Sequence, residues 1–132
     1  LVIVDAGTAL KIDVVSAQNG HLGGSISPGL SMSMNALSKN TAQLPVVDHH
    51  FNGQIGIDTE SCIRYGVVMS AVALIEKTLA DLVGHYRLVL TGGDAHQLAK
   101  HLNIPYEVQP NLVLSGLMRL FETGYLAKKE ST

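Results

Sequence analysis

Leu1-Val-Ile-Val-Asp5-Ala-Gly7-Thr8-Ala9 opens the chain, Leu10–Val15 follows, and Asn19-Gly20-His21-Leu22-Gly23-Gly24-Ser25-Ile26-Ser27-Pro28-Gly29 completes the stretch. Its first residues are an apolar strand delivering a carboxylate, Asp5, into a tight Gly-Thr turn. Gly7 lacks the Cβ that would block close approach to the backbone, and Thr8 offers a hydroxyl beside its own N–H. Asp5 has the chemistry to hold a cation or orient a water. A strand that merely ends in a polar turn carries the same letters, so this motif alone does not decide between site and turn. Residues 9–15 alternate around Ile12 and Val14 and read as a second strand. Asn19-Gly20 is a strong hairpin signal, with a third strand over about 21–27 and a stop at Pro28-Gly29.

Working outward, Leu30, Met34 and Leu37 recur at helical spacing, with Ser31 or Ser33 available near the helix start. Residues 46–57 read as a loop. Asp58 is a natural N-cap for a long helix over 59–83, closed by Gly84. Its apolar residues form two stripes, one with Ile63, Val67, Ala71 and Leu74, the other with Val68, Val72, Ile75 and Leu79. So much apolar circumference needs two surfaces to bury against: we expect the sheet to be one and a partner subunit the other. Strand 87–91 runs into Thr91-Gly92-Gly93-Asp94 and a helix over 95–102. A short strand at 106–108 and a helix over 111–124, with Leu112, Leu117, Leu120 and Phe121 on its inner side, complete the order βββ-α-α-β-α-β-α. Three meandering strands joined to parallel strands through helices predict an α/β fold with a mixed sheet. That order is also the one of the ribonuclease-H-like lobe shared by actin, the sugar kinases and the heat-shock ATPases.

The chain has 132 residues, 46% of them hydrophobic, and a mean hydropathy of +0.24, which bounds it to one well-buried domain and excludes disorder. Residues 1–125 form that domain and 126–132 a polar tail. A net charge of −2 without a Lys/Arg cluster argues against nucleic acid. The longest apolar run, 67–75, falls short of the ~20 residues a membrane helix needs. Cys62 is the single cysteine, so an intrachain disulfide or Cys-based zinc site is excluded, and a reducing, cytoplasmic location is expected. We expect Cys62 to be a buried, inert thiol. His49-His50 on extended backbone point apart and read as a solvated pair. The chain opens inside a strand and lacks an initiating Met, which we read as a missing upstream portion.

Together the motifs resemble the type III pantothenate kinases of bacterial coenzyme A biosynthesis, including the Bvg accessory factor proteins. Asp5-Ala6-Gly7-Thr8-Ala9 with Asp13, Gly20–Gly29, and Leu90-Thr91-Gly92-Gly93-Asp94-Ala95 carry the match. Asn40–Pro45, Asp58-Thr59 with Gly66, and Pro110–Leu117 follow in the family's order. The resemblance implies an ATP-dependent kinase making 4'-phosphopantothenate, a homodimer through helix 59–83, with magnesium accompanying ATP. It implies that Asp5 holds a monovalent cation, potassium or ammonium. It implies that Thr8, Gly92 and Gly93 bind ATP and that Thr59 contacts pantothenate. The family's first phosphate loop and its catalytic Asp lie upstream of the strand that begins here, so this stretch alone is expected to be inactive. Two departures stand out: Lys11 occupies a position where Thr is common, and Asp58 replaces an Asn. The competing readings are a non-enzymatic accessory protein of the same fold and a kinase for another small alcohol.

Overall fold

The computed structural model describes residues 1–48 and 50–125; His49 and the expected tail at 126–132 lie outside them. The elements are β1 (Val2–Ala6), β2 (Ala9–Ser16), β3 (Gly20–Pro28), α1 (Leu30–Asn40), α2 (Thr59–Ala80), β4 (Leu88–Thr91), α3 (Ala95–Ala99), β5 (Glu107–Val108) and α4 (Leu112–Glu122). The strands form one α/β sheet in the order β3-β2-β1-β4-β5. It is mixed: β1 is antiparallel to β2 and parallel to β4, and β4 is parallel to β5.

Side-chain alternation decides the core face. Val2, Val4 and Ala6 of β1, with Leu10, Ile12 and Val14 of β2, are buried against Leu30 and Met34 of α1 and Ile63, Val68, Val72 and Ile75 of α2. All four residues of β4 are buried, as an internal parallel strand requires. The opposite face carries Asp5, Lys11 and Asp13.

Gly29, and not Ser31 or Ser33, is the N-cap of α1. A Cβ at Gly29 would lie 2.2 Å from the Gly7 carbonyl oxygen, so close packing of two turns fixes this position and leaves no room for a capping side chain. At α2 the expected cap holds. The Asp58 carboxylate accepts from the Ser61 N–H at 2.8 Å, and the Ser61 hydroxyl accepts from the Asp58 N–H at 3.1 Å. The Ser61 N–H is also the main reason the Asp58 carboxyl titrates below its usual 3.8. The other end is earlier than expected. Asp81, not Gly84, is the C-cap, its N–H donating to Lys77 O, while Gly84 at φ 104° turns the chain toward β4.

The closing helix departs from expectation. No residue of α4 is buried, and Leu117, Leu120 and Phe121 are exposed. An amphipathic pattern says which side seeks cover, not that the same chain supplies it.

Loop 46–57 is tied to α2 rather than free. Arg64 donates to the Asp48 carbonyl at 3.2 Å and pairs with its carboxylate at 3.0 Å. Phe51 packs on His101 with ring centroids 4.7 Å apart. His50 is exposed and faces Asp48, as a solvated loop histidine would. The His101 Nε2 is buried without a hydrogen-bond partner. Burial, and secondarily the charge of Lys100, lowers the His101 pKa below 6.5. The folded state therefore resists a proton that the unfolded state accepts at 6.5. Stability should be full above pH 6.5 and decline as pH falls from 6.5 toward the folded pKa. Thermal melts across that range should show the decline in the parent and lose it in His101→Phe.

Candidate functional site

Two glycine turns meet at the end of the sheet where β1 and β4 finish side by side. Asp5 of β1 lies opposite Thr91 of β4 in parallel register, so the residues after each strand emerge together. The Asp94 N–H donates to Ala6 O at 3.0 Å, and the Gly29 N–H donates to Thr8 O at 3.0 Å. These bonds join turns 6–8, 28–29 and 92–94 into one assembly. Gly92 is obligatory in it: its φ is 95°, and a Cβ there would lie 2.4 Å from Ala6 O.

Beside this assembly lies a cleft of about 610 Å³, walled by Gly7, Thr8, Gly93 and Asp94 and, across from them, by Ser31, Asn35 and Lys39 of α1. Thr8 and Gly93 are both exposed to it. Bare backbone on one wall, with a hydroxyl, an amide and an ammonium around it, suits an anionic ligand such as a phosphate chain. Gly92 stands behind the cleft and holds the turn in shape. The α1 wall was not anticipated from the sequence, although Ser31, Asn35 and Lys39 at a spacing of four form a polar stripe that could have marked it.

Thr59 is elsewhere. It lines a larger, mainly apolar groove of about 1080 Å³ between α1 and α2, with Ile57, Cys62, Ile63, Leu37 and Leu44. The two cavities lie on either side of α1 and share Ala36. The Ile63, Val67, Ala71 and Leu74 stripe of α2 lines this groove. Cys62 does too, which is why it is exposed and not buried as expected.

Asp5 does not line the cleft. Its carboxylate sits on the far face of the sheet, with Oδ1 3.7 Å from where a Cβ on Gly7 would be. Oδ2 pairs with the Lys11 ammonium at 2.8 Å. The hydrogen bond and charge of Asp5 raise the Lys11 pKa above 10.5. A potassium or ammonium ion on this carboxylate would have to share it with an ammonium already there, so the residues present do not fit the expected monovalent-cation site. Among the described residues no three His, Cys, Asp or Glu side chains gather as a metal site. A magnesium ion accompanying a nucleotide would be held largely by phosphate oxygens and water, and Asp94 is the acidic residue lining the cleft that would serve it. No described helix is long and apolar enough to cross a membrane.

The type III pantothenate kinase family model matches residues 1–81. A type III pantothenate kinase of Porphyromonas gingivalis is 38% identical over 129 residues, covering 92% of this chain and 53% of that protein. One from Cupriavidus pinatubonensis is 40% identical over 130 residues, covering 89% and 47%. The chain thus spans about half the length of the curated relatives it matches. The crystal structure of a Campylobacter jejuni protein described as a "conserved putative Baf family transcriptional activator" superposes with a TM-score of 0.74 at 27% identity, over 93% of this chain and 57% of that one. By sequence over most of its length, this chain belongs to the type III pantothenate kinase family.

Proposed function

We propose that the protein carrying this chain transfers the γ-phosphoryl group of ATP to the hydroxyl of pantothenate, giving 4'-phosphopantothenate, and that residues 1–125 are its C-terminal, ribonuclease-H-like lobe. The observation that carries this reading is the meeting of the Gly7-Thr8 and Gly93-Asp94 turns in one cleft. Phosphoryl transfer asks a protein chiefly to position groups and offset charge. Here the Thr8 hydroxyl and N–H and the bare backbone of Gly93 hold phosphate oxygens. Lys39 offsets charge from α1, Asp94 faces the magnesium that accompanies ATP, and Gly92 keeps the turn open.

Thr59 contacts pantothenate from the mouth of the apolar groove. The groove's open α2 stripe meets the same stripe of a second copy, forming a homodimer. The group that takes the proton from the pantothenate hydroxyl lies outside these residues, so this chain by itself turns nothing over. The protein works in the cytoplasm, with neither nucleic acid nor membrane as a partner.

Full-length protein given ATP, magnesium and pantothenate should release ADP and 4'-phosphopantothenate. Thr8→Val, which removes one hydroxyl from the phosphate wall, should lower kcat by about 10²-fold with the fold intact by circular dichroism. A full-length protein that forms no product under these conditions, with potassium also supplied, rules the reading out. A panel of sugars and other small alcohols checks that pantothenate is the acceptor. The description of the Campylobacter jejuni relative as a transcriptional activator favours a second reading, a non-enzymatic accessory protein on the same fold. Under it, the nucleotide remains unhydrolysed and pantothenate unmodified.

A further inference from the structure

We propose that the Lys11 ammonium is a built-in counter-ion for Asp5, standing where the family resemblance puts a potassium or ammonium ion, so that this protein's cleft works without a monovalent cation. Three observations converge on it. The first is geometry: Lys11 Nζ lies 2.8 Å from Asp5 Oδ2. The second is register. Asp5 and Lys11 are direct partners on adjacent strands, with the hairpin turn only residues away, so the backbone presents the ammonium to this carboxylate and not merely near it. The third is the neighbourhood. The carboxylate is three-quarters shielded, with 26% of the Asp5 side chain accessible, and its other oxygen lies beside Gly7 of the phosphate-side turn.

The next carboxylate on the same face, Asp13, is already paired with His21 Nε2 at 2.8 Å. The charge of Asp5 is met directly by that of Lys11, which the more distant Asp13 also favours, so an inorganic ion at Asp5 would have to displace a tethered ammonium. A dehydrated potassium ion needs several oxygen ligands, whereas an ammonium on a tether needs only the carboxylate and keeps its remaining N–H groups in water. The tether also makes the charge local at any salt composition.

The consequence for nucleotide binding rests on the function proposed above; the cation readout does not. Thallium(I), a spectroscopic stand-in for potassium, should show no potassium-displaceable binding to the full-length protein by NMR linewidth. Lys11→Thr should gain such binding, and adding Asp5→Asn to it should remove the gain. Lys11→Met, similar in length and uncharged, serves as the second variant should Lys11→Thr not fold. In parallel, ATP affinity of the parent should be unchanged between potassium chloride and tetramethylammonium chloride, while Lys11→Thr should bind about tenfold more tightly in potassium. Potassium-displaceable thallium on the parent overturns the proposal, and so does its absence from both Lys11 variants. A protein that binds no ATP in either salt ends the kinase reading, yet leaves the thallium result to decide this one.

Discussion

Gly92→Ala should unfold much of what the cleft depends on, lowering stability by about 2–5 kcal/mol. Two separate penalties add. A φ of 95° is open to glycine and closed to other L-residues, at about 1–2 kcal/mol. The new methyl would also lie 2.4 Å from Ala6 O and 2.7 Å from its carbonyl carbon. Those atoms belong to the central strand and cannot retreat without breaking sheet pairing, an overlap worth about 1–3 kcal/mol. The Asp94-to-Ala6 hydrogen bond would stretch with it. At about 3–5 °C per kcal/mol for a domain of this size, the midpoint of thermal unfolding should fall by roughly 10 °C or more. Gly93→Ala is the internal control. Nothing lies within 4 Å of a Cβ there, so stability should stay within about 0.5 kcal/mol. The methyl would instead project where the ligand approaches, and nucleotide affinity should drop. Equal destabilisation by both changes would contradict the assembly of turns described above.

Ile75→Ala should be comparably damaging by a different route. Ile75 is fully buried on the inner stripe of α2, among the largest enclosed side chains of the core. Truncation removes three carbons from a site closed on the sheet side and leaves a cavity that the neighbours fill only in part. The expected loss is about 2–5 kcal/mol. Val83→Ala, at a position 95% exposed, should change stability by less than about 0.5 kcal/mol. Urea titration of the two variants would show it as a fall in the midpoint for Ile75→Ala alone, at unchanged slope.

Much of the fold could be read from residues because local rules and global packing agree. Alternation in Val2–Ala6 and Leu10–Val14 marks a sheet with one buried face, Asn19-Gly20 forces the hairpin, and Asp58 with Ser61 starts α2 where the cap chemistry says it must. The readings that failed depend on something a linear pattern does not carry. Leu117, Leu120 and Phe121 fall on one helical side, but their cover is a matter of what else is present. The expectation of a buried Cys62 fails because exposure follows the side of α2 on which the residue falls.

The site was legible in its glycine turns and illegible in its charges. Thr8 and Gly93 do share a cleft, but Thr59 opens into another, and Asp5 turns to Lys11. That last pairing hangs on strand register. A two-residue turn would set Asp5 opposite Leu10; the observed connection pairs Ala6 with Leu10 and so brings Asp5 opposite Lys11.

The partnership of β1 with β4 sets the order in which this molecule can assemble. The meander β1-β2-β3 closes through short loops, whereas residue 2 meets residue 88 only after the intervening helices have been gathered in. Joining such distant segments is entropically slow. The glycine wall of the cleft is therefore completed only when β4 docks beside β1, and a nascent chain that has made only its hairpins has half of that wall, Gly7 and Thr8 without Gly93 and Asp94.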